Sequence, residues 1–289
     1  MKRIILTALM LAASLTASAN NVLSRIEKGE TIKIGVRGSS APFSFIENGQ
    51  PAGYVVELCQ RAVSGIAAKA GRRTPKIAYV EVTTKNRLDL VASGAIDLEC
   101  GSTTVTQSRL EQVEFSNITF VTGLKFLLQP NSVRNLAELT RYLHGNAKVA
   151  VVEGTTAVKA LQYWFGDDNR VQVVKVADYK AGAKMVATGD VYAMLGDEVL
   201  MKSAAMSIQN GADLELSSFR LSVEPYAIAI NKDEQGLRLA LNKELDELYR
   251  TGEAERLLTV WLTKTKLSIN TLTAELMRHP GRTVATPAL

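Results

Sequence analysis

What most constrains this chain is a repeated alternation of short apolar runs with segments of helical periodicity. Thr31–Val36 reads as a strand, and Val55–Ala70 carries Leu58, Cys59, Ala62, Val63, Ile66 and Ala67 at helical spacing. Ile77–Val82 reads as a strand, Asn86–Ser93 as a helix and Ala95–Cys100 as a strand again. After a middle zone the order resumes. Lys148–Val152, Val171–Val176 and Val191–Leu195 read as strands, separated by helices over Thr156–Phe165 and Tyr179–Thr188. Such alternation predicts α/β architecture with parallel sheets. The stretches "NRLDLVASGAIDL" and "KAGAKMVATGDVYAML" share a helix–Gly–strand pattern, with Gly94 and Gly189 placed as left-handed helix stops. That pattern is common in any α/β fold, and it suits two lobes of similar construction.

At 289 residues and 46% hydrophobic content the chain has room for two such lobes, each with a core. They are expected to meet near Ser116–Thr122. Leu221–Ile230 reads as a second crossing that runs into a strand. Two crossings mean that the C-terminal part completes the first lobe, with Gln235–Arg250 and Glu253–Leu262 as its helices. Nothing after Lys264 shows strong periodicity, and the last ten residues, with Pro280, Gly281 and Pro287, are expected to be flexible. The resulting division is a leader over 1–19, the first part of lobe 1 over 20–118, hinge and lobe 2 over 119–224, and the remainder of lobe 1 with a tail over 225–289.

The leader rests on "MKRIILTALMLAASLTASAN": two basic residues, a mostly apolar run from Ile4 to Leu15, then Ala17-Ser18-Ala19. This is the pattern of a secretory signal peptide, and the run is too short to span a bilayer as an anchor. A soluble exported protein beginning near Asn20 is expected, in the periplasm. The formal charge of +5 includes Lys2 and Arg3, and no run of five basic residues occurs, so a nucleic-acid partner gains little support. In an oxidising compartment Cys59 and Cys100 read either as one disulfide or as two buried thiols. His144 and His279 lie far apart and no Cys/His cluster has metal spacing, so neither metal nor cofactor is expected.

The chemistry gathers in "DLECGSTTVTQSR", where a strand ends in small hydroxyl residues with Arg109 close behind. This stretch is too polar for a core and well suited to holding a small charged molecule. Together with "GVRGSSAPFSF", "EFSNITFVTGL", "VVEGTTAVKAL", "YRTGEAERLLTVWL" and "TKLSINTLTAELM", it makes the chain resemble periplasmic amino-acid-binding proteins of ABC transporters, family 3. The likeness covers essentially the whole mature chain and is greatest to the glutamate/aspartate-binding branch. It implies a two-lobed periplasmic-binding-protein fold of type II, with two hinge strands, a ligand in the interlobe cleft, hinge closure around it and an inner-membrane ABC permease as partner. The chain is expected to act as a monomer.

Residue by residue, the resemblance implies that Arg109 grips the ligand's α-carboxylate, with Thr104 assisting. A guanidinium can do this bidentately. Thr155 and Thr156, where a strand gives way to a helix, can present N–H groups to the same anion or serve as plain helix caps. Asp197 is the expected acceptor for the ammonium, with Ser102 second; capping the helix from Glu198 is the alternative for Asp197. Arg37 and Arg87, with Thr84, match the positions that hold a side-chain carboxylate. Two such cations would leave the empty cleft net positive, which favours glutamate or aspartate over glutamine. Where that branch has a histidine, this chain has Tyr179, a hydrogen-bond donor without charge. The branch's cysteine matching Cys100 often pairs near "YAIAI", where this chain has none, leaving Cys59 as the sole partner. Phe43 is expected either on the cleft wall or in the core, and Tyr226 as structural.

Two other readings compete. Exported dehydratases acting on cyclohexadienyl compounds are similar in fold and sequence, but they need a placed acid or base, and here only Asp197 and Glu153 offer one. A periplasmic sensor that signals through a partner is the second.

Overall fold

The computed structural model describes residues 21–133, 135–143, 145–166 and 171–278. The leader, both histidines and the C-terminal tail lie outside the described residues. Two five-stranded sheets form the frame. In the first, the order across the sheet is Ile77–Val82, Ile32–Arg37, Leu98–Glu99, Glu224–Ile230 and Glu114–Thr122. In the second it is Gln172–Val176, Lys148–Val152, Ala193–Asp197, Leu124–Leu128 and Glu215–Leu216. In each sheet the first three strands and the fifth run parallel, and the fourth is antiparallel to both of its neighbours. This corrects the expectation of parallel sheets. The fourth strand of each sheet belongs to a crossing: it enters from the other lobe and so runs against the parallel ones.

Both faces of each sheet are covered, which is why the strands read as near-continuous apolar runs. In lobe 1, Ile34, Val36 and Leu98 pack with Leu58, Ala62 and Val63 of the helix Tyr54–Lys69. On the opposite face, Val82, Ile96 and Ala229 meet Val91 and Val113. In lobe 2, Phe126, Val149, Val151 and Leu195 pack with Leu139, Ala157 and Leu161, while Ala150, Val152 and Met194 meet Ala183 and Val186. The alternation of residues along each strand is the period-2 rule at work.

Cys59 and Cys100 form a disulfide joining the helix Tyr54–Lys69 to the end of the strand Leu98–Glu99. That strand is shorter than expected, although Asp97 and Cys100 still donate to Lys33 and Gly35 of its neighbour. Gly94 and Gly189 do take the left-handed conformation, with φ of 71° and 79°. Four helices went unread in the sequence: Val22–Lys28, Gln107–Leu110, Leu136–Leu143 and Thr271–Arg278. Val22–Lys28 is capped by Asn21, whose side chain accepts from the Ser24 N–H. Thr271–Arg278 lies beyond Lys264; Asn270 caps it and also donates to the Val121 carbonyl, while Thr273, Leu276 and Met277 are buried. Docking on the strand Glu114–Thr122, rather than a long periodic face, holds it.

The chain leaves lobe 1 at Gly123, between the strands Glu114–Thr122 and Leu124–Leu128, and returns at Glu224, the register partner of Thr122. Among the described residues no helix is long and apolar enough to cross a membrane.

Candidate functional site

The lobes are closed on each other. Across the cleft the Thr84 hydroxyl donates to the Glu153 carbonyl at 2.6 Å and Lys85 pairs with the Glu153 carboxylate at 2.6 Å. Arg109 Nη2 reaches the Gly154 carbonyl at 3.4 Å. Gly154 takes φ +78°, and a Cβ there would stand 2.8 Å from the Thr84 carbonyl oxygen. Only a glycine lets the two backbones approach this closely.

Between them lies a small cavity, and all ten residues proposed from the sequence line it. Lobe 1 supplies Arg37, Thr84, Arg87, Ser102, Thr104 and Arg109; lobe 2 supplies Thr155, Thr156, Tyr179 and Asp197. Nearly all sit at a strand end, a helix start or the loop between, where open α/β sheets expose backbone and side chains to a ligand. Arg37 ends its strand, its N–H fixed on Ser44 Oγ at 2.9 Å. Arg87 opens the helix Arg87–Ala92. The hydroxyl loop is tied to the returning strand by Val105 N–H donating to the Pro225 carbonyl at 2.8 Å. Arg109 Nη1 donates to the Thr104 carbonyl at 2.7 Å, which aims the guanidinium.

In lobe 2, the Thr155 hydroxyl turns back to the Val152 carbonyl, so it does not cap the helix Thr156–Phe165 with its side chain. The Thr156 hydroxyl donates to Glu224 Oε2 at 2.8 Å. Asp197 has both positions considered for it: it caps the helix Glu198–Met206, accepting from Val199 and Leu200 N–H, and it lines the cavity. Its second oxygen takes the Tyr226 hydroxyl.

Leu124, Glu224 and Tyr226 also line the space and were missed in the sequence. Glu224 is 1% exposed and accepts from Ser222 as well as Thr156. A lone acid at the head of the otherwise apolar "EPYAIAI" was the available signal. Tyr226, expected to be only structural, presents its hydroxyl to Asp197 at the cavity. Phe43 takes the core position instead of the cleft wall: it is fully buried beneath Tyr226, with ring centroids 5.4 Å apart, and against Phe120 at 4.8 Å. Phe45 stacks edge-on against Trp261.

The electrostatics follow from burial. Desolvation, with Arg109 and Arg37 close by, pulls the Arg87 guanidinium down to about 9, still cationic at neutral pH. Burial also lowers Arg109, opposed by Glu224 and Glu99. Burial pushes the Asp197 carboxyl up to about 7, against hydrogen bonds from Tyr226 and the Leu200 N–H. Burial and then Asp197 raise Tyr179, which stays a neutral phenol. The positive charge expected in the cleft is reduced but not cancelled: Asp197, Glu224 and, from behind, Glu99 offset the three arginines in part. The hydrogen-bonding account is nevertheless lopsided. The oxygens of Asp197 and Glu224 are engaged, whereas buried Arg37 Nε and Arg87 Nε and Nη1 have no partner. Among the described residues no group of three or more His, Cys, Asp or Glu is placed to hold a metal ion.

Comparison with known proteins agrees with this fold. The chain is 26% identical over 264 residues to an L-glutamate/L-aspartate-binding protein of Pseudomonas aeruginosa, covering 90% of this chain and 86% of the relative. It is 25% identical over 247 residues to a glutamate/aspartate import solute-binding protein of Escherichia coli K12, covering 84% and 80%. A solved ancestral amino acid-binding protein, a precursor of cyclohexadienyl dehydratase, shares the fold at a TM-score of 0.71 and 22% identity, covering 83% of this chain and 99% of that one. Residues 32–264 match the model of one family, so the chain belongs to the bacterial extracellular solute-binding proteins, family 3.

Proposed function

We propose that this protein captures an acidic amino acid, glutamate or aspartate, by closing its lobes around it outside the cytoplasmic membrane, and delivers it to an ABC permease. The observation that carries the choice of ligand is the set of unpartnered, buried donors on Arg37 and Arg87 in a cavity whose own carboxylates are engaged. What these arginine donors lack is a hydrogen-bonded acceptor, and a ligand's side-chain carboxylate supplies one; leaving buried donors unmet costs about 1–3 kcal/mol each, more when charged. Arg109 and the N–H groups opening the helix Thr156–Phe165 suit the α-carboxylate. Asp197 and Glu224 suit the ammonium. Closure is favoured only by contacts that a ligand makes to both lobes at once.

The dehydratase reading is weaker, because the Asp197 oxygens already serve helix N–H groups and Tyr226. Product formation from a prephenate-like compound would revive it. The test of the binding reading is calorimetric titration of ligand-stripped protein, residues 20–289, with glutamate, aspartate and glutamine. Micromolar or tighter binding of an acidic amino acid, with glutamine at least about tenfold weaker, supports it. Equal or tighter glutamine refutes the assignment.

A further inference from the structure

One buried charge is left over. Glu99 is fully buried at the end of the strand Leu98–Glu99, on the face opposite Leu98 and Cys100, and neither of its carboxylate oxygens has a hydrogen-bond partner. An acid of this kind is costly to bury unless a charge nearby compensates it. The compensation is at hand. Arg37, Arg87 and Arg109 crowd into one wall of the cavity, and Glu99 acts electrostatically on both Arg87 and Arg109. It lies just behind that wall. A Cβ on Gly101 would fall 2.1 Å from Glu99 Oε1 and 3.0 Å from Arg37 Cγ, so the carboxylate and the Arg37 stem share the room that the glycine leaves. Glu99 does not itself line the cavity, so it is a positioning and charge-setting residue rather than a ligand contact.

We propose that Glu99 is a fixed counter-charge beneath the arginine cluster that sets how much negative charge the ligand must bring, and thereby determines specificity. This rests on the acidic-amino-acid reading above. With Glu99 in place, part of the arginines' charge is already answered and one side-chain carboxylate suffices. Without it, the same wall carries one more uncompensated positive charge and prefers a side chain with one more negative charge. Because neither Glu99 oxygen accepts a hydrogen bond, a Gln in its place breaks none; it removes the charge and puts an NH₂ group where one oxygen stood.

The experiment compares glutamate with 2-amino-4-phosphonobutanoate, the same skeleton with a phosphonate side chain, near pH 8, on wild type, Glu99→Gln and Glu99→Asp. Preference for the phosphonate over glutamate should rise about tenfold or more in Glu99→Gln and stay near wild type in Glu99→Asp, which keeps the charge. An equal loss for both ligands in Glu99→Gln, a ratio unchanged from wild type, or the same shift in Glu99→Asp overturns the proposal. If Glu99→Gln is unfolded when empty, refolding it with each ligand decides. Recovery by the phosphonate ahead of glutamate supports the counter-charge; recovery by neither, or by glutamate first, overturns it. Failure of the parent reading looks different: the wild type itself then binds neither compound.

Discussion

Lowering the pH from about 8 to about 5.5 should weaken capture of the ligand through a single group. Asp197 is 3% exposed, and burial, reinforced by Glu224, lifts its carboxyl to about 7 when the lobes are closed without ligand. An ammonium needs the carboxylate form, so binding at lower pH must first expel a proton. With the bound-state value driven well below the working range, affinity falls about 30-fold over this interval, roughly 2 kcal/mol. The other groups titrate elsewhere: burial holds Tyr179 and Tyr226 above their ordinary range, Arg87 is pulled down only to about 9, and the ligand's own side-chain carboxyl titrates near pH 4. Calorimetry in two buffers of different ionisation heat gives the proton count directly. About 0.9 protons should leave per ligand near pH 6 and almost none near pH 8. The stability of the closed, ligand-free form has the opposite sign of pH dependence. Its raised carboxyl holds a proton that the unfolded chain has lost, so its stability declines as pH rises from about 4 to about 7. Affinity that stays flat across the interval, with no proton released, refutes the ammonium role of Asp197.

Other consequences are as direct. Arg109→Ala should abolish binding of every amino acid, while Arg37→Gln or Arg87→Gln should weaken acidic ligands alone, by about 2–4 kcal/mol; equal losses for glutamate and glutamine at all three positions contradict this division. Gly154→Ala should cost affinity more than stability, since its Cβ meets the Thr84 carbonyl only when the lobes close; small-angle scattering should find the lobes apart with ligand present. Glu153→Gln removes an exposed cross-cleft pairing with Lys85 and should raise Kd less than about fivefold, an effect that vanishes in high salt. Replacing Cys59 and Cys100 by Ala should lower stability by about 4 kcal/mol, from loop closure across a separation of 41 residues, read by urea titration.

Much of this arrangement was legible beforehand, for physical reasons. The strands Ile77–Val82 and Lys148–Val152 and the helices Thr156–Phe165, Tyr179–Thr188 and Gln235–Arg250 carry clean periodicity and end at recognisable stops. Strand ends followed by glycine, hydroxyl or basic residues marked the cavity wall. What stayed hidden depends on contacts distant in sequence. Tyr226 reaches the site because its strand pairs with Phe120 and bridges Thr104. Glu224 reaches it because the return crossing lies beside Thr156. The helix Thr271–Arg278 is short, and its burial against Val121 and Ile118 supplies what its own pattern does not.

The position of the strand Glu224–Ile230, inside the first sheet and flanked by Leu98–Glu99 and Glu114–Thr122, has a consequence for the order of assembly. Every strand of the second sheet lies between Leu124 and Leu216, so lobe 2 is one uninterrupted stretch of chain. Lobe 1 is not. As the polypeptide is made, its first strands must wait, with an open edge, until residue 230 arrives, while lobe 2 is already whole. The younger segment of chain thus matures before the older one, and a chain truncated before Glu224 should yield a folded lobe 2 carrying an unfinished, aggregation-prone sheet.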